Sequence, residues 1–576
     1  MTSSFSKRLY HLIALGALMT ASCRSNDCQL GCPDAYYHAV ATQVEYPQLE
    51  CDPSAAQPGQ APPQTLRSEQ PVTDWPMTLD EAIHIALSNS TVIRQTNLQT
   101  PLRSTLDSTI YDIALDQTDP RAGQQAALAA FDAQFATSMI FMRNERTFNN
   151  LFFGGGVAGL RENTGDFDMS ISKRVATGGQ VALRHSTFFD ETNSPINRFH
   201  NTYDSYFEAE LRQPLLQGAG IAFNRIAGPN ATPGNYNGIM IARVNTDLRL
   251  AEFEAQVIDL LSEVERSYWQ LYFTYRDLDA KIAARDAALQ TWRVVNAKLE
   301  TGAADREQEA LARQQYHGAQ ALVENALSGT ATSGLTVSTS GGVYTAERRL
   351  RRLLGLTASD GRRIRPADEP PIGEAVFDWD SAIADALTHR VELRSQKWTI
   401  KRREMELLAA RNFERMRLDF IGQFRRRGFG DDLFGRVDEE NGSSFGDLIT
   451  SDLQEWQLGL QLSTPIGNRI GHTAVRHAEL QLARERAIYQ DRELEISDNL
   501  AAAFVEVDRA YTVSRTNFNR RVAARERLAA VRDKYEVGNV LLEFVLEAQR
   551  QATEADSEFY RSVVDYNVAI MNLHKA

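Results

Sequence analysis

The side chains that could do chemistry in this chain are few and unevenly placed. All four cysteines, Cys23, Cys28, Cys32 and Cys51, fall near the N-terminus, so no thiol nucleophile or thiolate metal site can operate in the remainder. Cys23 closes the run Thr20-Ala21-Ser22-Cys23, behind a positive Lys7-Arg8 pair and the apolar stretch Leu12–Met19. That order is a processing signal and resembles a lipoprotein cleavage box, which would make Cys23 the acylated mature N-terminus, although Thr20 stands where leucine is usual. The rival pattern is ordinary secretion with the four thiols in two disulfides, and a zinc site on Cys28 and Cys32 is a weaker third. His472 and His477 lie five apart with Glu479 nearby, whereas zinc ligands on one helix face need spacings of three or four. There is no His-Glu-x-x-His, no P-loop lysine motif and no Gly-x-Ser-x-Gly, so the expectation is no enzyme, no metal and no cofactor. What remains is carboxylates beside two glycines: Asp305 and Glu309 beyond Gly302, and Glu543 and Glu547 beyond Gly538. Carboxylates ringed about a constriction favour cations and could be blocked by multivalent ones. Acids at a helix start are also favoured by the helix dipole in any protein.

Those glycines must be held by the elements on either side. Residues 239–301 and 472–537 contain neither glycine nor proline, and Gly538 separates the second stretch from a third, Asn539 to Ala576. At ~1.5 Å per residue each longer stretch would run on the order of 95–100 Å as one helix. Val257, Leu261, Val264, Tyr268, Leu271, Tyr275, Leu278, Ile282, Leu289, Trp292 and Leu299 follow a heptad rhythm, the period of a coiled coil. KLETG at 298–302 and KYEVG at 534–538 each end on a glycine that can take the left-handed conformation and reverse the chain. Two long antiparallel helical hairpins are therefore expected, turning at Gly302 and Gly538. A soluble coiled-coil scaffold would carry the same pattern.

Between the helices the period changes to two. Phe207, Ala209 and Leu211 alternate with Glu208, Glu210 and Arg212. Trp456, Leu458, Leu460 and Leu462 alternate with Gln457, Gly459 and Gln461. Phe131–Phe141 and Met416–Phe424 alternate more loosely. Apolar-out, polar-in alternation marks a membrane barrel strand, and a half-buried soluble strand shows it too. Four such segments on an exported chain favour the barrel. Asp166–Lys173 and Gln180–His185 flank a Thr-Gly-Gly turn and predict an inserted hairpin, which extends the sheet or folds against it. Ser328–Gly342 reads as a loop.

The chain also repeats itself. LDEAIHIALSNSTVIR at 79–94 and WDSAIADALTHRVELR at 379–394 match at Asp80/Asp380, Ala82/Ala382, Ile83/Ile383, Ala86/Ala386, Leu87/Leu387 and Arg94/Arg394. A separation this large implies two copies of a domain-sized element rather than a solenoid. With 62 basic and 75 acidic residues the net charge is −13, which argues against a nucleic-acid partner held through phosphates. Beyond the N-terminus no apolar run is long enough for a transmembrane helix.

These motifs, in this order and twice over, resemble the TolC-like outer-membrane efflux proteins of Gram-negative bacteria. LDEAIHIAL and WDSAIADAL look like that family's repeat opening. LRQPLLQGAG at 211–220 and LSTPIGNR at 462–469 look like its strand-end motif, KYEVGNVLLEFVLEAQRQ at 534–551 like its hairpin tip, and DYNVAIMNL at 565–573 like its final helix. The likeness covers about 76 to 576. It implies an α+β membrane protein, internally duplicated: a homotrimeric outer-membrane β-barrel, four strands from each chain, continued by a long periplasmic α-helical barrel. The expected divisions are a signal peptide at 1–22 and a lipid-anchored Pro-rich linker at 23–75. A first repeat at 76–365 holds strands at about 131–216, and a second at 366–576 holds strands at about 416–464. The implied function is a passive duct of a tripartite efflux or type I secretion system. A periplasmic adaptor (membrane fusion) protein and an inner-membrane transporter would dock at the tips around Gly302 and Gly538, with Val540 and Leu541 as adaptor contacts. Glu543, Glu547, Asp305 and Glu309 are the gate candidates. The alternative is a non-conducting, lipid-anchored coiled-coil scaffold or adaptor of the cell envelope.

Overall fold

The computed structural model describes residues 61–67, 73–94, 108–153, 155–331, 339–435, 441–450 and 453–576. The signal at 1–22, the lipidation candidate Cys23 and the other three cysteines lie outside these residues. In chain order the elements are β1 (Thr73–Met77), α1 (Leu79–Asn89), α2 (Asp112–Thr118), α3 (Gln124–Ala129), β2 (Gln134–Thr147), β3 (Gly159–Arg174), β4 (Gln180–Thr192) and β5 (Asn201–Pro214). Next come α4 (Ile221–Ala227), α5 (Ile239–Glu300), α6 (Arg306–Ser328), β6 (Thr330–Ala331), β7 (Thr339–Ser340), α7 (Val343–Leu353) and β8 (Arg362–Pro366). The last are α8 (Trp379–His389), α9 (Val391–Asn412), β9 (Arg417–Gly430), α10 (Ser444–Thr450), β10 (Gln454–Ser463), α11 (Arg469–Glu536) and α12 (Leu542–Lys575).

Helices α5 and α11 run 62 and 68 residues without a break; α5 contains neither glycine nor proline, and α11 only Gly471 in its first turn. Helix α5 turns at Gly302 into α6, and α11 turns at Gly538 into α12. Both glycines have positive φ, +76° and +79°, the left-handed conformation that closes a helix and reverses the chain. The heptad seam of α5 is buried at Val264, Tyr268, Leu271, Tyr275 and Leu278, where it packs with Met77, Leu350, Leu353 and Ile364. Helices α1 and α8, which open the matching segments, are each 11 residues long. Each is capped by a side chain three residues before the backbone N–H it accepts from: Thr78 from Glu81 and Asp378 from Ser381. Losing such a cap costs about 1 kcal/mol.

Strands β1 and β8 pair in parallel beside α5, and Tyr268 ties them to α1. Its hydroxyl donates to the carbonyl of Met77 at 3.0 Å and accepts from the N–H of Asp368 at 3.2 Å, while Asp368 Oδ2 accepts the N–H of Leu79 at 2.6 Å. Burial pushes the Tyr268 phenol up to about 12. The folded state therefore holds this proton more tightly than the unfolded chain, so the contribution is complete below pH 10 and declines progressively between pH 10 and 12. Tyr268→Phe is expected to cost about 1–3 kcal/mol and to flatten that alkaline decline, measured by thermal melting at a series of pH values.

Where the family resemblance implies four strands, the described residues form a sheet of six, in the antiparallel order β10-β9-β5-β4-β3-β2. The inserted hairpin, β3 and β4, lies inside the sheet between β2 and β5. Among the described residues no helix is long and apolar enough to cross a membrane. The basic run at 347–355, whose sequence suggests a solvated helix face, is divided: Arg348, Arg349 and Arg352 are exposed, while Leu350, Leu353 and Leu354 enter the core and Arg351 is buried with them.

Candidate pore wall and hairpin tips

The register of the sheet sorts its residues onto two faces. One row across the strands reads Phe135, Ile171, Leu183, Ala209, Phe424 and Trp456. Neighbouring rows on the same face add Met139, Phe167, Val181, Leu211, Phe420, Leu458, Leu460 and Leu462. Most of these side chains are solvent-exposed in the single chain, with Trp456, Leu458, Leu460 and Leu462 at 72, 64, 68 and 60 %. A soluble sheet does not leave a continuous aromatic and aliphatic band of this size uncovered. The strands have 10 to 16 residues, and a tilted strand crosses a bilayer in about 9–11.

The opposite face is mainly polar, with Ile140, Met142 and Phe188 as apolar exceptions, and carries a network of ion pairs. Glu208, its side chain 2 % exposed, accepts from Arg425 at 2.5 Å and Arg184 at 2.8 Å, and also from Gln423. Asp419 lies 3.1 Å from both Arg212 and Arg417, and Glu455 lies 3.2 Å from Arg425 and Arg427. Arg184 is the inserted hairpin's contribution to this network, and Glu162, Asp166, Asp168 and Asp190 on the same two strands face the same side. One face fits lipid and the other fits a watery lumen, which is the division a barrel wall requires.

The edges of the sheet are open. Among the described residues β2 hydrogen-bonds only to β3 and β10 only to β9. All of β2 but Asn144 and all of β10 but Gly459 are exposed. Unpaired strand edges cannot stand in hydrocarbon, where each unsatisfied backbone group costs several kcal/mol.

At the far end the two hairpin tips pack on one another. Val295, Ala312, Leu542 and Leu546 form a small core with Trp292 and Tyr535 at its margin, and the Lys298 ammonium sits 4.7 Å from the Tyr535 ring centroid. The four sequence-derived gate candidates separate here. Glu309 is turned into this packing and accepts from the indole of Trp292 at 2.8 Å, so it does not project from the tip. Asp305 precedes α6 without a side-chain cap bond. Glu543 lies in the first turn of α12. Glu547, one turn further, accepts from Arg550 at 2.8 Å and Gln551 at 2.6 Å, and those bonds hold its carboxyl below the usual glutamate range. Leu541 is exposed and Val540 half-buried. Sequence reasoning missed Val537 and Phe544, which are exposed beside Leu541. The signal was present in the spacing VGNVLLEF around Gly538. The tip at 301–305 (TGAAD) offers no large apolar side chain, so the two tips present unlike surfaces.

No family model matches this chain, and no curated protein matches it. Solved structures do. The outer-membrane channel OprN matches with a TM-score of 0.56 at 12 % identity, over 86 % of this chain and 89 % of that one. CusC, whose structures concern folding and transmembrane channel formation, matches with a TM-score of 0.56 at 14 % identity, over 89 % and 96 %. The Campylobacter jejuni outer membrane channel CmeC matches with a TM-score of 0.52 at 14 % identity, over 89 % of each chain. The chain thus has the fold of these outer-membrane channels.

Proposed function

We propose that this chain is a TolC-like outer-membrane channel, three copies of which surround one hollow axis and export substrates delivered from the inner membrane. The observation that carries this reading is the six-stranded sheet with one apolar face, one polar face and two open edges, continued by helices of 62 and 68 residues. Neighbouring copies close the barrel edge to edge. They also cover Leu480, Leu494, Val505 and Phe518, which lie exposed along α11. In this reading residues 76–365 and 366–576 are two repeats of one plan, and Cys23 is the acylated anchor. The protein is a duct without an enzymatic step, and an inner-membrane transporter supplies the energy.

The tips meet a periplasmic adaptor through Leu541, Val540, Val537 and Phe544, with Gly302 and Gly538 shaping the two turns. Asp305, Glu543 and Glu547, repeated three times, ring the narrow end as the gate. Full-length protein purified in detergent and added to planar bilayers should form discrete, long-lived conductances. A water-soluble, non-conducting monomer would overturn the reading in favour of an envelope scaffold. Leu541→Asp should leave the conductance unchanged while weakening adaptor docking by about 2 kcal/mol, on the order of 30-fold. The check is an export assay in cells that retain the native pump and adaptor.

A further inference from the structure

We infer that the β3–β4 hairpin forms part of the barrel wall, so that three copies close an 18-stranded ring with a bore far wider than four strands per copy would give. This rests on the trimeric channel reading above and concerns its size.

Three observations support it. First, the hairpin cannot leave the sheet without dismantling it. Strand β3 shares 14 residue pairs with β2, and β4 shares 12 with β5. Strand β2 has no other neighbour among the described residues, so expelling the hairpin would strand β2 as well. Second, the hairpin continues both faces of the wall. Ile171, Phe167, Val181 and Leu183 stand in the same rows as the apolar residues of β2, β5 and β9. The 16 residues of β3 and 13 of β4 suffice to cross a bilayer. Third, its inner turn is fastened to the base of the wall. The Gly220 N–H donates to the Thr177 carbonyl at 3.1 Å, and the Thr177 hydroxyl donates to Gln213 at 3.0 Å. A side chain at Gly178, where φ is +93°, would strike the Gly218 carbonyl.

The geometry also allows the ring to close. The strands alternate in direction, so β2 and β10 run oppositely. The β2 edge of one copy therefore meets the β10 edge of the next as an antiparallel pair, repeated around the axis. With strands ~4.8 Å apart and tilted ~40°, twelve strands give a backbone diameter of roughly 24 Å and eighteen roughly 36 Å. The helices contributed by each copy are unaffected by the insertion, so the narrowest passage is at the helical end. The outer mouth admits far bulkier solutes than a twelve-stranded one.

Single-particle imaging of the detergent-extracted full-length assembly tests this directly. Eighteen strands in the ring support the inference. A trimer with a twelve-stranded ring and the hairpin outside it overturns this inference and leaves the channel reading standing. A failure to form oligomers overturns both. A variant lacking residues 159–192, which joins the outer ends of β2 and β5, gives a second measure. Neutral polymers applied from the outer side of a bilayer should show an access cut-off reduced to roughly two-thirds of the full-length value. An unchanged cut-off overturns the inference. Should the variant not assemble, the strand count on the unaltered protein decides alone.

Discussion

Leu460→Arg is expected to block stable insertion, whereas Gln457→Arg, three residues earlier on the same strand, is expected to be tolerated. The two positions differ in the face they occupy. Leu460 stands opposite Phe420 in the apolar band, and Gln457 opposite Gln423 on the polar side. Both lie on β10, whose residues are almost all exposed in the single chain, so local packing does not separate them. An arginine on the lipid face costs about 2–4 kcal/mol near the bilayer midplane, and a lumen-facing charge tunes selectivity instead. In the proposed ring every copy carries the change, so the penalty recurs once per copy. The fraction of protein recovered folded from lipid vesicles across a urea titration would show it. Leu460→Arg should shift the midpoint strongly, and Gln457→Arg should move stability by less than about 0.5 kcal/mol. Equal penalties at both positions would mean that neither face meets lipid.

The reasons for that contrast were legible in the sequence. Alternation at Trp456–Leu462 and at Phe207–Arg212 gives the two faces because side-chain direction in a strand has a period of two. The helices α5, α11 and α12 were legible because Gly302 and Gly538 follow the ends of α5 and α11 and because, apart from Gly471 in the first turn of α11, none of the three contains glycine or proline. What the sequence did not yield is pairing. The hairpin DFDMSISK…QVALRH looks the same whether it joins a sheet or folds across one. Its place between β2 and β5 depends on contacts with strands far along the chain. The tips show the same limit. Glu309 and Glu547 each follow a glycine turn by several residues, yet Glu309 meets Trp292 of the preceding helix while Glu547 meets Arg550 on its own. Spacing places a residue on a helix; the neighbour that turns it inward comes from tertiary packing.

Arg351 shows how far such packing can depart from local expectation, and Arg351→Ala is expected to be among the most destabilising single changes outside the six-stranded sheet. The run ERRLRRLLG has the composition of a solvated face, yet Arg351 is only 1 % exposed. Its guanidinium donates to Glu347 at 2.9 Å, Asp360 at 2.8 Å and the carbonyl of Arg362 at 2.5 Å. Glu347 in turn accepts the N–H of Ile364 at 3.0 Å, so the cluster fixes α7 against β8 and hence against β1. Truncation at Arg351 would strand the Glu347 carboxylate in the core, a loss of about 3–5 kcal/mol. Glu347→Gln together with Arg351→Met keeps an acceptor for Ile364 and removes both charges, and should recover part of that loss. Asp360 adds a pH signature. Burial alone would raise its carboxyl, but hydrogen bonds from Arg362 and Arg351 outweigh burial and hold it below the usual range. Its contribution is therefore complete above the ordinary aspartate value and is lost as pH falls through the lower folded one. Removing Arg351 takes away one of the groups that depress it, so acid unfolding of the variant should begin at higher pH. Hydrogen exchange across residues 343–366, followed from pH 7 to pH 3, would show this as earlier loss of protection. An unchanged acid profile would mean that Arg351 does not help to hold Asp360 ionised.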